Sequence, residues 1–509
     1  MAMPVSTTSY GGEVNGLAAQ AALPLDLPLC VDLDGTLVKS DTLYDSALAL
    51  ARQHPAKLLE LPKWLGEGKA ALKQHITSAV TLDVAHLPYN RELVQYLEQQ
   101  HAAGRPIYLA TAADHGLANR VAEHLGIFTG VLASDGAVNL AGKNKLAAFR
   151  SHFGDNFCYI GNASPDLPLL TVCVEPMVAN PFASLSAGLR RANVVPVRTF
   201  NDKAPALKAW LKAIRLHQWA KNVLIFLPLL LAHRMDAGLI AGSLVAFLSF
   251  GLCASATYIV NDLLDLEADR KHLRKRRRPF AAGDLSALSG VAVVGAFLLA
   301  SLALALALPA VVTAISPGSA LPVPYGFLLW LAIYAVTTSA YSFVLKRKVL
   351  VDVIVLSGLY TIRIIAGSAA TGVPISPWLA AFSIFFFLSL AFVKRFAELE
   401  SLRQRGAAPA NGRGYLISDI EQLRSFGSAS GYVSVFVLTL YISNLEAAHL
   451  YTHTRRLWLL LPILLLWISR LWLLASRGQL DEDPVVYAIT DRRSLLLGVL
   501  VVAVVLFAL

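Results

Sequence analysis

The chain has 509 residues, of which 56% are hydrophobic and 15% are charged, and its formal net charge is +10. It is too apolar for an ordinary soluble enzyme and too long for one domain. Most of the positive charge lies in loops beside apolar segments, so we expect membrane lipids or phosphorylated substrates as partners and no nucleic acid. The four cysteines show no paired or metal-ligand spacing and are predicted to be free thiols.

The N-terminal part of the chain has the composition of a soluble domain, predicted over 25–198 after a flexible stretch at 1–24. Residues 1–16 are polar and show neither the basic nor the apolar region of a secretory signal. We therefore expect this domain to stay in the cytoplasm.

Three short apolar runs in this domain are predicted to be buried parallel strands, and polar residues follow each of them. The strands are 27–31, 106–110 and 157–160, and the residues that follow them are Asp32, Asp34, Thr111, Asn162 and Asp166. Open α/β sheets bind ligands at the carboxyl ends of their strands. There, one carboxylate can attack phosphorus while an acid two residues further on protonates the leaving oxygen.

The segment D-L-D-G-T-L at 32–37 gives this domain a resemblance to the haloacid dehalogenase (HAD) phosphatase superfamily. The resemblance implies a Rossmann-like α/β fold with a helical cap from Val38 to about Tyr89. It also implies a nucleophile, a general acid/base, a hydroxyl and a lysine that hold phosphate, and one Mg²⁺. By resemblance these are Asp32, Asp34, Thr111 and Lys145 (with Lys143 as the alternative), and the metal ligands are Asp32, Asp34, Asn162 and Asp166.

One position departs from the family pattern. The family usually has Gly-Asp at its fourth motif, whereas this chain has Gly161-Asn162. An asparagine can still offer an oxygen to Mg²⁺, but one negative charge is lost. The sequence therefore leaves open an active phosphatase and a regulatory domain.

An amphipathic linker helix at the membrane surface is predicted over 199–218, followed by an all-α membrane domain over 219–509. Nine helices in that domain approach or reach the length that crosses a bilayer. They begin near Trp219, Ala237, Ser286, Tyr325, Leu350, Trp378, Gly431, Leu457 and Arg493. The basic loops alternate with uncharged ones. The positive-inside rule thus predicts a multi-pass protein of the inner membrane with its C-terminus outside.

The most specific stretch of the membrane domain is N-D-x-x-D-x-x-x-D, from Asn261 through Asp262 and Asp265 to Asp269. It ends a long apolar segment and precedes a run of basic residues. Carboxylates at a membrane edge are costly unless they are neutralised, and Mg²⁺ binds a few carboxylates together with phosphate oxygens. We therefore predict a Mg²⁺-diphosphate site here. The alternative is a polar loop whose arginines serve only topology.

A second polar cluster lies later in the chain. It comprises Tyr341, Lys346, Asp352, Arg363 and Lys394. Asp352 and Arg363 are eleven residues apart, which places them on one face of a helix. Ionisable residues within a membrane helix are candidates for a functional site. A structural ion pair with neighbouring helices is the alternative.

The helices and the acidic motif resemble the UbiA superfamily of intramembrane transferases. Further short motifs are similar to those of its decaprenyl-phosphate phosphoribosyltransferase branch. They include R-x-H-Q-W-x-K-N at 215–222, K-R-R-R-P at 275–279, R-x-x-A-G at 363–367 and K-R-x-A-E-L at 394–399.

This branch implies phosphoribosyl pyrophosphate as the donor, polyprenyl phosphate as the acceptor and one or more Mg²⁺ ions. The acids Asp262, Asp265 and Asp269 would hold the metal. The residues expected to bind the substrates are Lys221, Asn261, Lys275, Arg277, Arg278, Tyr341, Lys346, Asp352, Arg363 and Lys394. The HAD domain would then remove the 5-phosphate of the product.

Two other functions stay open. One is an aromatic prenyltransferase that uses a prenyl diphosphate, and the other is a membrane-anchored phosphatase. A transporter is disfavoured because the ionisable residues cluster at helix ends. The sequence allows a homo-oligomer.

Overall fold

The structure is a computed structural model that describes residues 27–135, 139–318, 321–404, 414–444, 450–480 and 483–509. The flexible stretch predicted at 1–24 lies outside these residues. The chain divides into two compact units, with the boundary between Lys203 and Ala204.

In its described residues, the first unit contains six strands and eight α-helices. The strands are β1 Leu29–Val31, β2 Ile107–Asp114, β3 Gly130–Ser134, β4 Cys158–Gly161, β5 Pro176–Ala179 and β6 Arg198–Phe200. The helices are α1 Thr42–Gln53, α2 Leu61–Gly66, α3 Lys69–Ala79, α4 Arg91–Ala102, α5 His115–Leu125, α6 Lys143–Phe153, α7 Leu167–Leu170 and α8 Ala183–Arg191. The strands form one parallel sheet in the order β3-β2-β1-β4-β5-β6, consistent with the predicted Rossmann-like fold.

Alternate residues of the strands pack on opposite faces of the sheet. Leu29 and Val31 lie in one buried apolar cluster, whereas Cys30 between them lies in another. Helices therefore cover both faces, which is the usual arrangement for a parallel sheet. The segment between β1 and α4 is helical. Its first helix, α1, is capped by Asp41, whose carboxylate accepts hydrogen bonds from the Leu43 and Tyr44 amides.

Two details of the first unit differ from the predicted boundaries. Strand β2 continues to Asp114, past the expected end at Ala110, and its pairing with β3 is irregular between these residues. Strand β6 extends the sheet to Phe200, into the stretch predicted to be the linker. A three-residue strand such as β6 is too short to be recognised by alternation.

The second unit is entirely helical in the residues described. Its helices are α9 Ala206–Ile214, α10 Leu227–Leu231, α11 Ala237–Leu264, α12 Leu266–Lys271, α13 Ala287–Ile315, α14 Gly326–Phe343, α15 Val351–Thr371, α16 Pro377–Gln404, α17 Ile420–Ile442, α18 Leu460–Ser476, α19 Pro484–Thr490 and α20 Arg492–Ala508. A 3₁₀ segment, Leu216–Phe226, precedes α10, and further short 3₁₀ turns precede several of the long helices.

Seven helices in the described part of the chain are long and apolar enough to cross a membrane, not the nine predicted. The segment expected to begin the first span at Trp219 is a 3₁₀ stretch followed by the five-residue α10, and Lys221, Asn222 and Ile225 in it are buried. The last predicted span, α20, has 17 residues. At about 1.5 Å per residue it reaches roughly 26 Å, less than the hydrocarbon thickness of about 30 Å.

The start predicted at Gly431 is also wrong. Residue 431 lies inside α17, which begins at Ile420. A β-carbon at this glycine would lie 2.8 Å from the Cγ2 atom of Ile468, so the glycine serves close helix packing and marks no helix end.

Candidate active sites

The first site lies at the carboxyl edge of the sheet. The strand register pairs Val31 with both Leu109 and Ile160. Asp32 and Asn162 therefore follow the neighbouring strands β1 and β4 at the same edge, and Thr111 lies within β2 two positions after Leu109. All three residues are buried.

Lys145 brings a positive charge to Asp32. Its Nζ atom donates to Oδ1 of Asp32 at 2.8 Å and to the hydroxyl of Tyr159 at 3.0 Å. Lys143, the alternative predicted for this role, is exposed at the start of α6. Burial raises the pKa of Asp32 to about 7, even though the ammonium group of Lys145 favours the charged carboxylate.

Asp34 lies beside the helical segment. Its Oδ1 atom accepts a hydrogen bond from the Thr42 amide at 2.7 Å. Burial, together with the neighbouring carboxylate of Asp41, raises the pKa of Asp34 to about 7. A carboxyl group with this pKa can give and take a proton near neutral pH. A cavity of about 120 Å³ lies next to it, lined also by Lys73 of α3 and by Asp114.

Asp166 organises the loop after β4. One of its oxygens accepts from the hydroxyl of Tyr159 at 2.7 Å, and the other accepts from the amides of Asn162 and Ala163 at 3.0 Å each. Both oxygens are thus used to shape the loop. Gly35 lets the side chain of Asn162 approach, because a β-carbon at this glycine would lie 2.0 Å from Nδ2 of Asn162.

The second site is formed by the acidic motif at the end of α11. Asp262 and Asp269 are each 2% exposed, and both contact Arg278. The guanidinium group donates to Asp262 at 3.1 Å and to Asp269 at 2.7 Å. Arg215 also donates to Asp262, at 2.5 Å. The two carboxylates are therefore neutralised by arginines from either side of them in the chain.

A lysine of the segment between α14 and α15 also lies near the acidic motif. Lys346 Nζ lies 3.6 Å from Oδ2 of Asp265. Of the second polar cluster of the sequence, Lys346 thus lies near the acidic motif, where Arg215 and Arg278 also contact its carboxylates. Lys275 and Arg277 are exposed beside it, and Asn261 is half-buried one residue before Asp262.

Asp352 and Arg363 do not pair with each other. Asp352 is fully buried, and it accepts hydrogen bonds from Arg395 at 2.5 Å and from the hydroxyl of Tyr415 at 2.5 Å. Arg395 also donates to Tyr341 at 2.7 Å. This is the structural alternative for Asp352, an ion pair with a neighbouring helix.

Arg363 belongs to a different interior cluster. It donates to Oδ1 of Asn222 at 2.9 Å and to the hydroxyl of Tyr334 at 3.2 Å. Its guanidinium carbon lies 5.7 Å from the ring centroid of Tyr360. The Nζ atom of Lys221 lies 5.5 Å from the same ring. The cations of the 3₁₀ segment and of α15 therefore face one aromatic side chain.

Asp483 completes this cluster and was not predicted. Its Oδ2 atom accepts from Lys221 at 2.7 Å and from Lys394 at 2.9 Å. Burial alone would raise the pKa of Asp483, but the two ammonium groups hold it well below its usual range. The available signal in the sequence was the acidic run D-E-D at 481–483 before Pro484, which does not show what Asp483 contacts.

No group of three or more His, Cys, Asp or Glu side chains in the described residues is arranged to hold a metal ion. In the acidic motif, Arg278 contacts Asp262 and Asp269, and Lys346 lies near Asp265. At the first site, Lys145 contacts Asp32, and position 162 is an asparagine.

The UbiA prenyltransferase family model matches residues 223–492. The chain therefore belongs to the UbiA prenyltransferase family. This defines the second unit as the membrane-embedded transferase part of the chain.

Three relatives describe the similarity further. An uncharacterized protein, y4nM, of Sinorhizobium fredii is 37% identical over 95% of this chain and 91% of its own length. The nodulation protein NoeC of Azorhizobium caulinodans is 36% identical over 56% of this chain and 88% of its own length. Decaprenyl-phosphate phosphoribosyltransferase of Mycobacterium tuberculosis is 38% identical over 204 residues. The matched region is 39% of this chain and 62% of that protein.

Among solved structures, a UbiA homolog from Archaeoglobus fulgidus bound to GPP and Mg²⁺ matches 58% of this chain and 97% of its own, at 15% identity and a TM-score of 0.43.

Proposed function

We propose that the second unit transfers phosphoribose from phosphoribosyl pyrophosphate to a polyprenyl phosphate, and that the first unit then removes the 5-phosphate. The observation that carries the transfer step is the convergence of Asp262, Asp265 and Asp269 with cations of two separate loops. The relatives named decaprenyl-phosphate phosphoribosyltransferase support this choice of substrates.

The transfer breaks the bond between ribose C1 and the pyrophosphate oxygen and forms a bond from C1 to a phosphate oxygen of the lipid. Pyrophosphate leaves with the electron pair. Arg278 and Lys346 lie at the acids and can turn to the donor's phosphates, with Lys275 and Arg277 exposed nearby. Lys221, Lys394 and Arg363 form the interior cation cluster and would hold the lipid phosphate.

The donor set of the acidic motif fits Mg²⁺, because it offers the carboxylates of Asp262 at the end of α11, Asp265 between α11 and α12 and Asp269 in α12, and carboxylate oxygens are ligands of Mg²⁺. The metal, when bound, would neutralise the pyrophosphate leaving group. Arg278 lies between two of the carboxylates, so a metal held there requires its guanidinium group to move away. Arg278 would then be free to contact the donor's phosphate.

In the first unit, Asp32 would attack the 5-phosphate, and the bond from phosphorus to the ribose oxygen would break as Asp34 protonates that oxygen. Water would then hydrolyse the aspartyl-phosphate, releasing phosphate and restoring the carboxylate. Lys145 and Thr111 would hold the phosphoryl oxygens. Asp32 and the Asn162 side chain offer oxygens suited to Mg²⁺, which would offset the phosphate charge.

The test is mass spectrometry of the lipid products. Purified protein is incubated with Mg²⁺, polyprenyl phosphate and phosphoribosyl pyrophosphate, and wild type is compared with Asp32→Asn and Asp262→Asn. We expect lipid-linked ribose from wild type and lipid-linked ribose phosphate from Asp32→Asn. At a Mg²⁺ concentration that just saturates wild type, we expect much less ribosylated lipid from Asp262→Asn. If Asp32→Asn loses the 5-phosphate at the normal rate, the phosphatase step is wrong.

The chain belongs to a family of prenyltransferases, so the competing reaction is the transfer of a prenyl group from a prenyl diphosphate to an aromatic acceptor. A parallel incubation with a prenyl diphosphate and an aromatic acceptor separates the two. A prenylated product, with no ribosylated lipid in the first incubation, would replace the proposed transfer.

A further inference from the structure

The interior cation cluster of the second unit contains an anion of its own. Asp483 precedes α19, Lys221 lies in the 3₁₀ segment Leu216–Phe226 and Lys394 lies in α16, so three separate elements meet here. A single oxygen of Asp483, Oδ2, lies between the two ammonium groups. Its other oxygen accepts a hydrogen bond from the hydroxyl of Tyr360 at 3.3 Å.

This is the arrangement of donors that a phosphate group needs: two ammonium groups on one oxygen and a hydroxyl group on another. The positive charges of this cluster also outnumber its one carboxylate, so the cluster can bind a second anion. Two lysines face one carboxylate, and the guanidinium group of Arg363 lies over the same Tyr360 ring. Buried positive charges without anionic partners destabilise a protein, because the desolvation of each ion is not compensated.

We propose that Lys221, Lys394 and Tyr360 form a binding site for a phosphate group, and that Asp483 occupies this site as an internal anion which the phosphate displaces. The proposal rests on the proposed function, since it assigns a substrate phosphate to the cation cluster. It goes further in giving Asp483 a role: the carboxylate keeps the lysines in place and competes with the ligand.

Asp483 has a hydrogen bond that does not involve the cation cluster. Its Oδ1 atom also accepts from the amide of Val485 at 3.1 Å, which caps α19. The carboxylate can therefore leave the lysines while its capping bond holds the helix start. A phosphate monoester carries more negative charge than one carboxylate, so the exchange favours the ligand once it arrives. The cost of breaking two ion pairs with Asp483 would lower the apparent affinity.

The experiment measures phosphate affinity directly, without turnover. The full-length protein in detergent is titrated with farnesyl phosphate, phosphoribosyl pyrophosphate or inorganic phosphate, and binding is followed by calorimetry. Asp483→Asn is expected to bind one phosphate ligand at least about tenfold more tightly than wild type, because the competing charge is gone. Lys394→Gln is expected to bind the same ligand at least about tenfold more weakly.

The three ligands distinguish the source of the phosphate. Tightening confined to farnesyl phosphate assigns the site to the lipid acceptor, and tightening confined to phosphoribosyl pyrophosphate assigns it to the donor. Asp491→Asn is the matched control, because Asp491 also pairs with a cation, Arg470, and caps a helix, α20, but does not contact the cluster. Its affinities are expected to equal those of wild type.

A second variant protects the test against misfolding. Asp483→Ser removes the charge but keeps a side chain that can cap α19, so it should show the same tightening. Unchanged or weaker binding in both folded variants overturns the proposal, as does wild-type affinity in Lys394→Gln. This failure is distinct from that of the proposed function. If the transferase assignment is wrong, wild type forms no ribosylated lipid. If only the role of Asp483 is wrong, that lipid forms and the affinities do not change.

Discussion

The Nζ atom of Lys145 lies 2.8 Å from Oδ1 of Asp32, although 113 positions separate the two residues in the chain. The contact joins the start of α6 to the end of β1 and leaves a buried charge pair at the edge of the sheet. A phosphoryl group at Asp32 would lie beside the ammonium group.

Lys145→Met is therefore expected to slow removal of the 5-phosphate by about a hundredfold or more, because a positioned positive charge at a phosphoryl group is lost. Transfer of phosphoribose should continue. The measurement is the ratio of lipid-linked ribose phosphate to lipid-linked ribose over time. Lys143→Met is the control, because Lys143 lies two residues away and is exposed. Equal rates in the two variants would contradict the role given to Lys145.

The acidic motif gives a prediction about metal. In Asp262→Asn, a carboxylate shared by Arg278 and Arg215 is lost, and we expect the Mg²⁺ concentration needed for half-maximal transfer to rise at least tenfold, with a lower maximal rate. The measurement is transfer rate against Mg²⁺ concentration. Glu421→Gln is the control, because Glu421 also pairs with an arginine but is exposed on α17. A parallel loss in the control would point to general charge effects.

The sequence correctly predicted the location of residues whose place in the fold depends on the residues next to them in the chain. Asp32, Thr111 and Asn162 each come directly after an apolar run of a strand, so parallel pairing alone brings them to one edge, even though β2 continues beyond Thr111. The acids at 262, 265 and 269 lie close together in the chain, at the end of an apolar segment and before a basic run, so the sequence alone marks them as a candidate site. The change in composition along the chain also separates the first unit from the second, which contains the candidate membrane spans.

Residues whose role depends on distant contacts could not be predicted this way. Asp483 meets Lys221 and Lys394, which are 262 and 89 positions away. Nothing near Asp483 in the chain indicates those partners. The stretch at Trp219 was overestimated as a span for a related reason. Its apolar content is that of a membrane helix, but it packs inside the helical unit as a 3₁₀ segment.

The buried pair of Asp352 and Arg395 yields a prediction about stability. Arg395 is 1% exposed and Asp352 is 0% exposed, so removing either partner leaves an unpaired buried charge. We expect Arg395→Met to lower the free energy of unfolding by about 3–5 kcal/mol. Thermal unfolding in detergent measures this change. Arg424→Met, which breaks the exposed pair with Glu421, should cost at most about 1 kcal/mol. If Arg395→Met unfolds like wild type but loses activity, Asp352 serves the substrate directly.

Gly367 sets the distance between α15 and the 3₁₀ segment that carries Lys221. A β-carbon at this position would lie 2.0 Å from the backbone oxygen of Ile225, and a backbone atom cannot turn aside as a side chain can. Gly367→Ala should therefore push the segment away from α15, weakening phosphate binding by at least about tenfold and destabilising the protein by roughly 1–3 kcal/mol. Calorimetric titration and thermal unfolding measure the two effects.

Gly358 provides the matched control, because it lies on the same helix and a β-carbon there would meet nothing within 4 Å. Gly358→Ala should leave binding unchanged and stabilise α15 by up to about 1 kcal/mol, since alanine favours helix more than glycine does. Wild-type binding in Gly367→Ala would show that the segment can shift without moving Lys221, and the contact at Ile225 would then have no part in holding the cation cluster.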